Sequence, residues 1–142
     1  MKISAKIDYA CRALVELGLH WPNTKPLQVS EIAKKQKIPI KFLVHILIQL
    51  KESGYVDSVR GKMGGYVLTK SPDMIKFSDI IKNFGGLGLN SDEDVKKRKL
   101  NHVMDYVWQE IDDVVLKAID KTNLQMICDR QRSQGKIIMY EI

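Results

Sequence analysis

Apolar residues in the first third of the chain recur at helical spacing. Between positions 4 and 19 they fall at steps of three and four residues, which predicts a first helix. Ser30 is a typical N-cap for a short second helix over 31–36. A turn at 37–38 leads to a third helix over 39–53, which Gly54 ends.

Two short extended segments follow, and each is rich in residues favoured in strands. They cover 55–59 and 66–69, and the sequence RGKMGG between them is typical of a hairpin loop. A fourth helix is predicted over 77–84, with two glycines at its end. The polar residues 87–99 are expected to form a loop or linker.

The last part of the chain carries one long amphipathic pattern over 100–119. Its apolar stripe consists of Leu100, Val103, Met104, Val107, Ile111, Val114, Val115, Ala118 and Ile119. A stripe of this length needs a covering partner, and a symmetric homodimer is the commonest solution. The apolar tail 136–142 is expected to be a strand.

This order of elements predicts the fold. Two helices, a turn, a third helix and a glycine-containing hairpin are the order of a winged helix-turn-helix. We therefore predict a mainly α (α+β) protein, with a winged helix-turn-helix DNA-binding domain at 1–86. A linker, a long dimerisation helix and a tail occupy 87–142. A winged-helix module that binds a protein partner is the alternative.

The third helix has two distinct faces at 100° per residue. Its core face consists of Leu43, Ile46, Leu47 and Leu50. On the opposite face, Lys41 and His45 suit phosphates or base edges. Val44 and Ile48 suit thymine methyl groups or, alternatively, packing against another element. No second His or Cys lies at metal-ligand spacing from His45, so no metal site is predicted.

The hairpin loop is the second candidate DNA contact. Its cations are Arg60 and Lys62, and its glycines allow the backbone to approach a phosphate. An arginine on a thin hairpin suits a narrow minor groove. The other residues predicted to contact DNA here are Gly61, Gly64, Gly65 and Tyr66. The alternative is an ordinary surface turn.

Charge is distributed unevenly along the 142 residues. The net charge is +6, and residues 1–86 carry +7 while residues 87–142 carry −1. This asymmetry favours an anionic partner such as nucleic acid or a lipid surface, although a lysine-rich surface alone would also produce it. No apolar run is long enough to span a membrane, and no signal peptide is expected.

Two cysteines 117 positions apart form neither a disulfide framework nor a ligand cluster, which favours a reducing, cytoplasmic location. The three histidines and scattered acids show no catalytic triad, phosphate loop or paired carboxylates. An enzyme is therefore not predicted.

With these residues identified, the chain resembles the Rrf-two (Rrf2) family of bacterial winged-helix transcriptional regulators. The resemblance runs through KIDYACRALVELGLH, VSEIAKKQKIPIKFLVHILIQLKESGYVDSVRGKMGGYVLT, IKFSDIIKNFGG and VWQEIDDVVLKAIDKTNLQMI. It implies a homodimeric repressor on a palindromic double-stranded DNA site, with the long helices crossing at the dimer axis. It also implies that Arg60 enters the minor groove.

The chain departs from this family at one point. Members that bind an iron–sulfur cluster carry three cysteines after the fourth helix, where this chain has GLGLNSDEDVKKRKL. Asp8 matches a position that ligates the cluster in some members. Without those cysteines we expect no cluster, and the input would be an effector protein, a small molecule or a redox-active thiol. Cys128, near a helix end, is the better redox candidate, and Cys11 is expected to be a small buried residue.

Overall fold

The computed structural model describes residues 3–22, 25–87 and 102–141, with side chains described to residue 135. Its helices are α1 (Ala5–Leu19), α2 (Val29–Gln36), α3 (Ile40–Glu52), α4 (Phe77–Asn83), α5 (Val103–Ala118) and α6 (Leu124–Glu141). An antiparallel hairpin of β1 (Val56–Val59) and β2 (Gly65–Leu68) follows α3, and a 3₁₀ turn (Pro72–Met74) precedes α4. The predicted winged helix-turn-helix is confirmed.

The ends of the first helices follow local chemistry, with one correction. Ser4 caps α1, because its side chain accepts a hydrogen bond from the backbone of Ile7 at 3.2 Å. Gly54 follows the end of α3 with φ of +84°, as a C′ glycine should. The prediction that Ser30 caps α2 is wrong, because α2 begins at Val29, two residues earlier than expected, and Gln28 occupies the cap position.

One apolar core joins α1, α3, the hairpin and α4. The predicted core face of α3 is confirmed, since its four leucine and isoleucine residues are almost fully buried. From α1, Ala10, Ala13 and Leu14 have no exposed surface. The small side chains of the two alanines permit close packing between α1 and its neighbours.

The C-terminal segment contributes to this same core. Leu124 and Cys128 of α6 are fully buried. They reach α1 at Gly18, where a Cβ atom would lie 2.7 Å from the sulfur of Cys128. The absence of a side chain at this glycine therefore lets α6 approach α1 closely, and residues from beyond position 86 complete the core of the first 86.

The predicted C-terminal strand is wrong, because α6 continues as a helix to Glu141. The sequence Ser-Gln-Gly at 133–135 does not end it: a glycine inside a helix costs only about 1 kcal/mol relative to alanine. The long helix is confirmed over Val103–Ala118, and His102 begins it with a capping box to Asp105. The predicted linker lies outside the described residues except for Leu87, and so does Leu100. Within the described residues, no helix is both long and apolar enough to cross a membrane.

Candidate nucleic-acid interface

The four predicted contact residues of α3 all lie on its exposed face. Lys41 and His45 are exposed, and Val44 and Ile48 retain 40% and 46% of their accessible surface. Their separation from the core face follows from the helical period alone. Packing within the described part of the chain therefore leaves a large part of both apolar side chains uncovered.

Two further apolar residues of α3 are exposed, and sequence reasoning missed both. Ile40 is 52% exposed and lies one turn before Val44, so it extends the same face toward the helix start. Phe42 is 60% exposed and points toward α1, where its ring lies 6.4 Å from that of Tyr9. The 100° spacing that located Val44 would have placed Ile40 beside it, but Phe42 has no comparable signal.

The hairpin presents its cations at the tip of the wing. Val59 pairs with Gly65, which leaves residues 60–64 as the connecting loop. Gly61 adopts φ of +110°, a conformation that favours glycine, and its carbonyl oxygen accepts a hydrogen bond from the Gly64 amide at 3.0 Å. Arg60 and Lys62 are exposed. The wing therefore offers two cations on a narrow, tightly turned loop.

Gly65 and Tyr66 begin the second strand of the wing, and Gly64 is the last residue of its loop. A Cβ atom on Gly64 would collide with the carbonyl oxygen of Val59, and one on Gly65 would collide with that of Leu27. Tyr66 exchanges two backbone hydrogen bonds with Leu27, at 2.8 and 3.0 Å. The geometry gives these three residues a structural role, and their direct contact with DNA stays a prediction.

Hydrogen bonds fix the wing to the helices on both sides. Gln28 Nε2, at the start of α2, donates to the carbonyl oxygen of Lys62 at 3.2 Å. Lys51 Nζ, near the end of α3, donates to Ser58 Oγ at 2.6 Å. These bonds link the wing to α2 at its tip and to α3 at its first strand. Neither bond has a signal in the sequence.

The two cysteines lie in surroundings that suppress thiolate formation. Burial, aided by the nearby charge of Asp8, raises the pKa of the Cys11 thiol to about 12. Cys128 has no exposed surface, its sulfur lies 3.7 Å from the carbonyl oxygen of Val15, and burial raises its pKa as well. Because the thiolate is the reactive form, this burial disfavours the redox role expected for Cys128.

The donor set does not fit an iron–sulfur cluster. Such clusters are held mainly by cysteine thiolates, and this chain has two cysteines in all. No group of three or more His, Cys, Asp or Glu residues capable of holding a metal occurs among the described residues. The Asp8 carboxylate instead forms an ion pair with the Arg12 guanidinium, with 3.0 Å between nitrogen and oxygen.

The predicted dimerisation stripe on α5 has one part packed against the core and another part that is exposed or half-buried. Val115 and Ile119 pack against the core, together with the buried Leu116, which the sequence analysis missed. The remaining large members of the stripe are exposed or half-buried: Val103, Met104, Val107, Ile111 and Val114. Packing against the core therefore covers only part of the apolar face of α5.

Comparisons with known proteins agree with this geometry. The family model "Rrf2: Iron-dependent Transcriptional regulator" matches residues 3–130. The HTH-type transcriptional regulator CymR of Bacillus subtilis is 30% identical, and the alignment covers 100% of both chains. Two relatives match over a shorter stretch: the chain spans just over half the length of the putative regulators rrf2-like of Rhodobacter capsulatus (38% identical, 57% of its length) and slr0846 of Synechocystis (40% identical, 54%).

Solved structures show the same architecture. IscR of T. potens superposes with a TM-score of 0.73 at 28% identity, covering 94% of this chain and 91% of its own. The structure titled "CymR (YrzC) the Global Cysteine Regulator of B. subtilis" gives 0.71 at 28% identity, covering 92% of this chain and 98% of its own.

Proposed function

The chain belongs to the Rrf2 family of transcriptional regulators, and from that premise we propose that it represses transcription as a cytoplasmic homodimer bound to an inverted-repeat operator. It is a DNA-binding regulator of the helix-turn-helix type. Repression follows if the operator overlaps a promoter, because bound protein then excludes the polymerase. Loss of transcription in vitro from such a promoter, on adding the protein, would support this mode of action, and increased transcription would contradict it.

One observation supports the DNA contacts above all others. The exposed face of α3 and the cationic wing tip belong to one unit, held together through Gln28 and Lys51. This arrangement lets α3 occupy a major groove while Arg60 reaches the adjacent minor groove. The +7 balance of residues 1–86 favours attraction to the phosphate backbone.

The test uses duplexes selected by the protein from a random pool. Affinity should fall steeply as salt rises, because phosphate contacts release counterions. Arg60→Ala should weaken binding by about 1–3 kcal/mol without unfolding the protein. Arg130→Ala removes the same charge from an exposed position on α6 and serves as the matched control. Equal effects of the two substitutions would remove the wing from the mechanism.

The homodimer is proposed from the exposed side of α5. Val103 and Val114 each retain 68% of their accessible surface, and both belong to one apolar stripe. Two copies of α5 packed along this stripe would cover each other and set two winged heads about one helical turn of DNA apart. The operator should accordingly be an inverted repeat.

Sedimentation at micromolar concentration tests the dimer. The wild-type chain should sediment at twice 16.3 kDa. Val114→Asp should give monomers, since it introduces two carboxylates into an apolar contact. Gln109→Asp, at an exposed position on a different side of α5, should leave the dimer intact. A wild-type monomer would refute the proposed assembly.

We also propose that this member works without an iron–sulfur cluster, so that its input is an effector protein or a small molecule. Two observations support this proposal: the chain has only two cysteines, and the Asp8 carboxylate forms an ion pair with Arg12. After anaerobic reconstitution with iron and sulfide, the protein should remain colourless and bind its selected duplex as before. A brown protein with stoichiometric iron, lost in Cys11→Ala or Cys128→Ala, would contradict this.

A further inference from the structure

The exposed face of α3 has few groups that can identify a base by hydrogen bonding. From its start to Ile48, this face carries Ile40, Lys41, Val44, His45 and Ile48, of which three are apolar. It has no Arg, Asn or Gln, and of the side chains that form paired hydrogen bonds to guanine or adenine it carries only Lys41. Gln49 lies to one side, and its Nε2 donates to the carbonyl oxygen of Asn83 at 3.4 Å. Lys41 and His45 are thus the two exposed hydrogen-bonding side chains on this part of α3.

Apolar side chains in the major groove recognise one feature of the bases, the C5-methyl group of thymine. Val44 and Ile48 lie on consecutive turns, about 6 Å apart along the helix axis. This separation corresponds to about two base steps of 3.4 Å on one strand. Both side chains are β-branched and therefore hold their methyl groups in nearly fixed positions. They form a stiff apolar edge of the length needed to contact two nearby thymines.

Charge favours DNA over an apolar protein partner for this edge. Lys41 lies on the same face as Val44 and Ile48, and the wing attached to α3 adds Arg60 and Lys62. A protein surface that covered Val44 and Ile48 would have to accommodate this excess of cations. A duplex supplies methyl groups in its major groove and phosphates on both sides of it.

Building on the proposed DNA binding, we propose that α3 identifies its operator mainly through thymine methyl groups. Val44 and Ile48 contact thymines about two base steps apart in each half-site. Lys41 and His45 position the helix on the backbone or add a single base contact.

The experiment replaces thymine by deoxyuridine, one position at a time, in a duplex that the full-length protein selects from a random pool. Deoxyuridine lacks only the C5-methyl group and keeps the same hydrogen-bonding edge. Binding of each duplex is measured for the wild type, Val44→Ala, Ile48→Ala and Lys41→Ala. All three substitutions are at exposed positions, and a thermal melt of each variant verifies that it is folded.

At the contacted positions, uracil should weaken wild-type binding about fourfold per methyl group, from the burial of one carbon. Val44→Ala should bind the thymine duplex more weakly and lose its sensitivity to uracil at one position. Ile48→Ala should lose it at a position about two steps away. Lys41→Ala should weaken binding to thymine and uracil duplexes alike and keep the methyl sensitivity.

Three results would overturn the proposal. If every uracil duplex bound as tightly as its parent, the methyl groups would have no part in recognition. If uracil weakened binding equally in the wild type and both alanine variants, the effect would come from DNA shape and not from Val44 or Ile48. If the pool yielded no enriched duplex, the proposed DNA binding itself would fail, and the apolar edge would be a surface for a protein partner.

Discussion

Replacing Gly65 by alanine should detach the wing from the helix-turn-helix and lower the stability of the whole domain. The added Cβ would meet three backbone atoms of Leu27 and Gln28, none of which can rotate away. The two hydrogen bonds between Leu27 and Tyr66 would then break. Each contributes about 0.5–1.5 kcal/mol, so their loss costs about 1–3 kcal/mol. The φ of +152° adds backbone strain of about 1–2 kcal/mol for any residue with a side chain.

The matched control is Gly54→Ala. Gly54 also has a positive φ, +84°, but a Cβ there would have no atom within 4 Å. Gly54→Ala should therefore lower the free energy of unfolding by only about 1–2 kcal/mol, through backbone strain. Urea unfolding followed by circular dichroism should show Gly65→Ala to be the less stable variant by about 1–3 kcal/mol. Equal losses in the two variants would refute the argument that contact with Leu27 determines the wing position.

Two further substitutions test the core. Glu16 is buried, accepts a 2.8 Å hydrogen bond from Gln36 Nε2 and lies 3.6 Å from Lys35 Nζ. Glu16→Ala should therefore lower the free energy of unfolding, measured in urea, by about 1–3 kcal/mol. The same free energy of unfolding for Glu16→Ala and for Glu31→Ala, a substitution at an exposed position, would contradict this. The Cys11 thiol, with its pKa raised from 9.0 to about 12, keeps its proton in the folded state while the unfolded thiol ionises. The contribution of this thiol to the free energy of unfolding should therefore be unaffected below about pH 9 and fall between about pH 9 and 12. In urea unfolding at pH 8 and pH 10, the free energy of unfolding should fall less with pH in Cys11→Ala than in the wild type. An equal fall in both proteins would mean that other groups cause it.

The sequence predicted best where one face of an element is fully buried. The core face of α3 follows from spacing alone, since buried positions must be apolar and the period determines where they recur. The two strands of the wing follow instead from strand-forming residues on both sides of a glycine-containing loop. The spacing along α3 also located Val44 and Ile48 by exclusion, as apolar residues on the side away from the core. These residues carry the further inference because burial does not explain them.

Local signals are least informative where tertiary contacts override them. The position near a helix end made Cys128 the redox candidate, whereas the glycine at position 18 of α1 leaves room for its sulfur inside the core. The strand expected at 136–142 followed from a glycine and a short apolar run, whereas α6 is anchored to α1 by Leu124 and Cys128 and continues as a helix. The contacts of Leu124 and Cys128 with α1 join residues more than a hundred positions apart, so no local sequence pattern predicts them.

The junction after α5 links the proposed dimer to DNA recognition. The Phe77 amide donates to the carbonyl oxygen of Thr122, and the Leu124 amide donates to that of Ile75, both at 2.9 Å. The fully buried Ser78 adds a hydrogen bond from its Oγ to Asp120 at 3.1 Å. These bonds hold the C-terminal end of α5 against the start of α4, within the winged domain. In the proposed dimer held together by α5, this junction would connect the dimer contact to the domain that carries α3.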